Sequence, residues 1–104
     1  MSDWIRCNVG GTIFETTRTT LTSVPDSLLA KMFDVASSLP PASTSEDGTF
    51  RIDASPRAFT VILDWLRYKR IILGGAEAKD VIPVADFFGL QDLSKEIEFS
   101  EEEG

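Results

Sequence analysis

Hydrophobic and polar positions alternate over residues 4–9 and again over residues 12–17, and two glycines separate the runs. Alternation with a period of two sends successive side chains to opposite faces of a strand. Gly10 and Gly11 supply the positive φ that a two-residue primed hairpin turn demands. A turn of that length fixes the register. Val9 faces Thr12, Cys7 faces Phe14 and Ile5 faces Thr16 on one side of the ribbon. Asn8 faces Ile13, Arg6 faces Glu15 and Trp4 faces Thr17 on the other. The first side is apolar. The second is polar with two apolar members, Trp4 and Ile13, and it sets opposite charges across from each other, a pair worth about a few tenths of a kcal/mol. A half-polar face of this kind is either solvated or meets another protein.

The period then changes. Thr19 and Thr20 are capping candidates for a short turn around Leu21. Pro25 and Asp26 suit a helix's first turn, and Leu28, Leu29, Met32 and Phe33 follow at helical spacing as its buried stripe. Residues 34–48 are rich in Ser, Pro and acidic side chains without periodicity and read as a flexible loop. Phe50, Ile52 and Ala54 alternate with polar neighbours and predict a strand. The plainest helix opens at Ser55, with Pro56 at its first position. Phe59, Ile62, Leu63 and Leu66 make its stripe, and Ala58, Val61 and Trp65 widen the apolar arc to about 200°, which predicts cover on two sides. The cations of 67–70 suit the negative end of that helix. Ile71–Leu73 predicts a short strand before Gly74 and Gly75. Ala78, Val81, Ile82, Ala85 and Phe88 predict another helix, which Pro83 should kink or shorten and Gly89 should stop. A last short helix ends near Phe99, ahead of an acidic tail at 100–104.

Length and composition bound the rest. The 104 residues suffice for one domain, taken as 1–99 plus the tail. A 42% hydrophobic content with seven Phe and two Trp supplies one modest core. The net charge of -7 argues against nucleic acid and anionic membrane as partners. A single cysteine permits no internal disulfide and fits a reducing compartment, so the chain reads as a soluble cytoplasmic domain, with the nucleus as the second setting. No apolar run approaches the roughly 20 residues of a membrane span.

Catalysis finds no footing. There is no histidine, which removes Ser-His and Cys-His arrangements and the commonest zinc ligand. Asp53 and Asp64, a candidate carboxylate pair, fall on a strand end and a helix's polar side. Cys7 points into the apolar face of the hairpin and reads as a buried, inert thiol. No catalytic residue, metal or cofactor is expected. What stands out is mixed charge on rigid elements. Arg6, Asn8, Glu15, Thr17 and Arg18 crowd one face and end of the hairpin, and Asp53, Arg57, Asp64 and Arg67 recur along the central helix and its approach. With Trp4 and Ile13 beside them, these nine residues are the candidate self-association interface.

Three stretches carry a family resemblance: NVGGTIFETTRTTLTSVPDSLLAKMF, FRIDASPRAFTVILDWLRYKR and VADFFGLQDL. Together, over about residues 4–97, the chain resembles the BTB/POZ domain of the potassium-channel tetramerisation type. The resemblance implies an α+β fold, a small mixed sheet with an N-terminal hairpin packed against short helices. It implies homo-tetramers or homo-pentamers with polar interfaces. It also implies either the assembly domain of a soluble adaptor, of which several recruit a cullin to a ubiquitin ligase, or the subunit-assembly domain of a voltage-gated potassium channel, which would make this chain a fragment. In adaptor members the region of loop 34–48 and nearby helix ends helps form the cullin surface, and Phe33 and Leu39 are the candidates there. Many channel members bind zinc between subunits through a His and several Cys that this chain lacks. The family's usual Arg after Ile-Asp is Ala54 here, which removes one interface charge.

Overall fold

The computed structural model describes residues 3–34 and 44–103. Strands β1 (Trp4–Val9) and β2 (Thr12–Thr17) form the antiparallel hairpin in the expected register, from Val9↔Thr12 to Trp4↔Thr17. Gly10 and Gly11 have φ of 56° and 98°, as a type I′ turn requires. β3 (Phe50–Ile52) runs parallel to β1, which gives a mixed three-stranded sheet of order β2-β1-β3. The turn also ties to β3, because Gly10 N–H donates to the Ile52 carbonyl at 3.0 Å.

The inner face of the sheet is Ile5, Cys7, Val9 and Ile52, all buried, with Phe14 partly buried beside them. Helix α3 (Pro56–Tyr68) lies across it. Phe59 meets the rings of Phe14 at 5.3 Å and Phe88 at 5.8 Å, both edge to face, which links sheet, central helix and α4 in one core. Ser55 caps α3 by accepting the Ala58 N–H, and Lys69, in the left-handed region, ends it. All seven apolar residues of the wide arc, from Ala58 to Leu66, are buried within the chain. The sheet and α1 cover one side of α3, and α4 (Ala78–Phe87) covers the other. α5 (Gln91–Glu103) then packs on α4.

Several local expectations are corrected. The cap of α1 (Arg18–Leu21) is Thr17, whose hydroxyl accepts the Thr20 N–H at 3.1 Å; Thr19 instead donates its N–H and hydroxyl to the Asp3 carboxylate. Thr17 wins because β2 delivers it in extended conformation, as a cap needs. α2 is Leu28–Phe33 and starts at Ser27, later than Pro25 and Asp26 suggested. The Ser27 hydroxyl accepts from Ala30 N and donates to the Val24 carbonyl, so it caps α2 and closes the preceding turn together. Residues 71–73 form no strand: after left-handed Lys69 ends α3 they join no ladder of the three-stranded sheet. Pro83 does not interrupt α4, which runs unbroken from Ala78 to Phe87, and α5 runs four residues beyond Phe99 into the expected tail. Most of the loop at 34–48, including Leu39, lies outside the described residues; its end is a stitched turn, with Ser45 N–H donating to the Thr49 carbonyl at 2.8 Å.

Candidate protein-interaction surface

The pleat decides which hairpin side chains leave the core. With Ile5, Cys7 and Val9 inward, Trp4, Arg6, Ile13 and Glu15 must point outward, and Trp4 is 67% and Ile13 53% exposed. Between them the Arg6 guanidinium grips one Glu15 oxygen, with Nη2 at 3.0 Å and Nε at 3.3 Å. An exposed pair of this kind adds about 1 kcal/mol or less to folding, so it orders the face more than it stabilises the chain.

Arg67 joins α3 to this face. Its Nη2 donates to the Glu15 carbonyl at 3.2 Å, while Nη1 stands 3.8 Å from Asp64. The two-residue turn makes Val9 and Thr12 a bonded pair, so the backbone of Glu15 faces the free edge of β2, where Arg67 covers its carbonyl. A groove on the opposite side of the hairpin is lined by Trp4, Arg6, Glu15 and the turn residues Asp47, Gly48 and Thr49. The Asp47 carboxyl is held down at about 2, first by the Ser45 hydroxyl bond, then by bonds from Thr49, with a smaller contribution from Arg6.

The nine candidate residues therefore fall into three groups. Arg6, Glu15, Asp64 and Arg67 form one connected polar surface. Asn8 and Asp53 line a second groove around the glycine turn, where the side-chain oxygen Oδ1 of Asn8 accepts the Gly11 N–H at 2.9 Å; Arg57 is exposed at the start of α3 beside Thr12 and Asp64. Thr17 and Arg18 have internal duties. Thr17 caps α1, and Arg18 donates to the Phe33 carbonyl at the end of α2. Asp53 and Asp64 line different grooves, and Asp64 pairs with Arg67.

One expectation is corrected here. Phe33 is 1% exposed, its ring edge-on to Phe50 at 4.9 Å, so it is a core residue and offers nothing to a cullin. The central helix leaves no apolar surplus for a partner either, because its arc is consumed by the sheet and α4. Besides Trp4, the exposed aromatics among the described residues are Tyr68 at the end of α3, Phe87 and Phe99. Phe87 was legible in principle. Adjacent helical residues differ by 100°, so of the Phe87–Phe88 pair only one ring can enter the core. Phe88 is fully buried and Phe87 is 61% exposed, at the end of α4 where Gly89 packs on Ser27 and Leu28.

Cys7 is buried and its thiol is pushed up to about 11 by desolvation, which leaves it protonated and unreactive at neutral pH. Among the described residues, no group of three or more His, Cys, Asp or Glu is placed to hold a metal ion, and no helix is long and apolar enough to cross a membrane.

A family model described as the BTB/POZ domain matches residues 5–97. The chain is similar to the BTB/POZ domain-containing protein KCTD9 of Homo sapiens, 39% identical over 99 residues, covering 93% of this chain and 25% of that protein. It is similar to the BTB/POZ domain-containing protein KCTD5 of Homo sapiens, 34% identical over 96 residues, covering 91% of this chain and 41% of that protein. It is also 35% identical over 98 residues to the SH3KBP1-binding protein 1 of Bos taurus, covering 94% of this chain and 14% of that protein. The chain thus spans less than half the length of each of these relatives.

Proposed function

This chain belongs to the BTB/POZ domain family, and on that premise we propose that residues 1–99 act as a non-enzymatic self-assembly module, several copies closing into a ring of four or five. The observation that carries the reading is the outer hairpin face. Two large apolar side chains, Trp4 and Ile13, stand exposed on a rigid sheet around a salt bridge whose partners Arg67 and Asp64 continue onto α3. Apolar anchors within mixed, fixed charge are the composition of a specific but polar interface. Arg6, Glu15, Asp64 and Arg67 carry it, with Asn8, Asp53 and Arg57 at its turn end; Thr17 and Arg18 act by holding α1 and α2. Light scattering of the wild-type chain against a Trp4→Ala/Ile13→Ser double variant tests this. The variant should fold with an unchanged circular dichroism spectrum and dissociate at concentrations where the parent is assembled. A variant that assembles as tightly as the parent removes the hairpin face from the interface.

The finer reading is the assembly domain of an adaptor that recruits a cullin. Similarity to KCTD9 and KCTD5 supports it over the potassium-channel alternative. With Phe33 in the core, the contact falls to Phe87, an exposed aromatic at a helix end beside α2. Calorimetric titration with a cullin N-terminal region checks this: Phe87→Ala should abolish binding without altering assembly, and an absence of binding by the parent chain would dismiss the adaptor role alone. For the adaptor we propose a cytoplasmic setting, with the nucleus also compatible.

A further inference from the structure

The turn beside the hairpin's outer face carries the Ser45 hydroxyl, whose bonds go to Asp47 and the Thr49 carbonyl and not to the Arg6–Glu15 pair. We propose that Ser45 is a phosphorylation site for an acid-directed Ser/Thr kinase, and that a phosphate there switches the charge pairing of the Arg6–Glu15 surface. The proposal rests on the assembly reading above for its effect on association, but not for the modification or its capture by Arg6.

Glu46 and Asp47 follow Ser45 directly, and both are exposed, so a kinase with a basic subsite has two carboxylates to hold just after the acceptor. In transfer, Ser45 Oγ bonds to the γ-phosphorus of ATP and the bond to the β–γ bridging oxygen breaks. ADP departs with that electron pair, and the hydroxyl proton passes to the kinase's catalytic base.

The local consequence follows from the bonds that Ser45 already makes. Ser45 Oγ–H now donates to Asp47 Oδ1 at 2.6 Å and approaches the Thr49 carbonyl at 3.2 Å. A phosphate ester has no hydroxyl proton to donate there. It also brings a charge of about -1.5 to -2 against the Asp47 carboxylate, so the turn must open. The cation of the adjoining groove is Arg6, which lines it together with Asp47, Gly48 and Thr49. Arg6 is at present committed to Glu15 through one oxygen in an exposed pair, and a dianionic phosphate offers it a stronger bidentate partner. Transfer of Arg6 to the phosphate leaves Glu15 unpaired and makes the surface net acidic. Every copy in a ring would carry the same change, so association weakens.

The 104-residue chain and a Ser45→Ala control should be incubated with an acid-directed kinase and MgATP, and the phosphate located by fragment mass spectrometry. The phosphorus NMR signal of the modified chain should then be titrated in the parent and in Arg6→Gln, and dissociation followed by light scattering. The expected results are phosphate on Ser45, a second phosphate ionisation that moves to higher pH in Arg6→Gln, and a several-fold rise in the dissociation midpoint. No phosphate on Ser45 while an acidic control peptide is modified, or phosphate only on Ser43 or Thr44, overturns the site. A titration identical in Arg6→Gln overturns the capture, and a modified ring as tight as the parent overturns the switch. If the unmodified chain is monomeric, the assembly reading has failed, and the association switch fails with it; the phosphorus titration still decides the site and its capture.

Discussion

Alanine at Gly10 and at Gly11 should have unequal effects, although both lie in one two-residue turn. A Cβ on Gly10 would stand 2.4 Å from the Ala54 carbonyl oxygen and 3.1 Å from Pro56 Cδ. Neither can yield cheaply. Ile52, two residues before Ala54, already accepts the Gly10 N–H, and Pro56 opens α3. Gly10 also has φ of +56°, which costs an L-residue about 1 kcal/mol or more by itself. Clash and conformation together should cost about 3 kcal/mol, in the range reserved for named structural lesions. A Cβ on Gly11 meets nothing within 4 Å, so Gly11→Ala bears only the strain of φ +98°. That strain is about 1–2 kcal/mol, partly offset by the stiffer unfolded chain. For a domain of this size each kcal/mol moves Tm by about 4–8 °C, which puts the two variants on the order of 10 °C apart. The assay is thermal unfolding by circular dichroism at one fixed protein concentration, because assembly makes Tm concentration-dependent. If Gly10→Ala melts no lower than Gly11→Ala, the turn does not pack on the Ala54–Pro56 junction and the reasoning is wrong.

Arg6→Glu sets like charges across the hairpin; because the site is exposed it should cost the single chain about 1 kcal/mol or less while loosening assembly, seen as a small Tm change beside a large shift in dissociation. Phe33→Ala should destabilise by about 3–5 kcal/mol in urea titration, as a core deletion does, and a surface-like loss below about 1 kcal/mol would contradict its burial. At pH 8 a thiol near 11 is only about one-thousandth ionised, so Cys7 should resist iodoacetamide in the folded chain and react fully in denaturant by intact mass. The Asp47 carboxyl is depressed in the folded state, so its contribution is complete above the ordinary carboxylate range near 4 and is lost as pH falls through about 2. The Ser45–Thr49 turn should loosen across that window, visible in amide exchange at Thr49, and Asp47→Asn should flatten the dependence.

Much of this architecture could be read from residue order because some elements carry their own geometry. Two glycines between alternating runs leave one register for the hairpin, and the register dictates the Arg6–Glu15 pair. Ser55-Pro56 marks the start of α3 for local reasons that the rest of the fold does not override. Other features depend on what lies nearby. Residues 71–73 have strand composition, but a strand needs a hydrogen-bonded partner and they join no ladder of the sheet. Thr17 rather than Thr19 caps α1 because β2 ends there, and the cap of α2 passes from the Pro25-Asp26 signal to Ser27, which closes two bonds at once. The width of the apolar arc on α3 correctly foretold two-sided cover, yet both covers come from the same chain. Arg18 and Thr17 looked like interface polarity and are helix-end bonds instead. Polar residue types alone do not separate an outward charge from one that satisfies a buried carbonyl.

The central claim is that copies of this chain bind one another through the hairpin face, and absolute mass in solution tests it most directly. Size-exclusion chromatography with light scattering at high micromolar concentration should give four or five times the 11.5 kDa of one chain. A single species at 11.5 kDa under those conditions contradicts it.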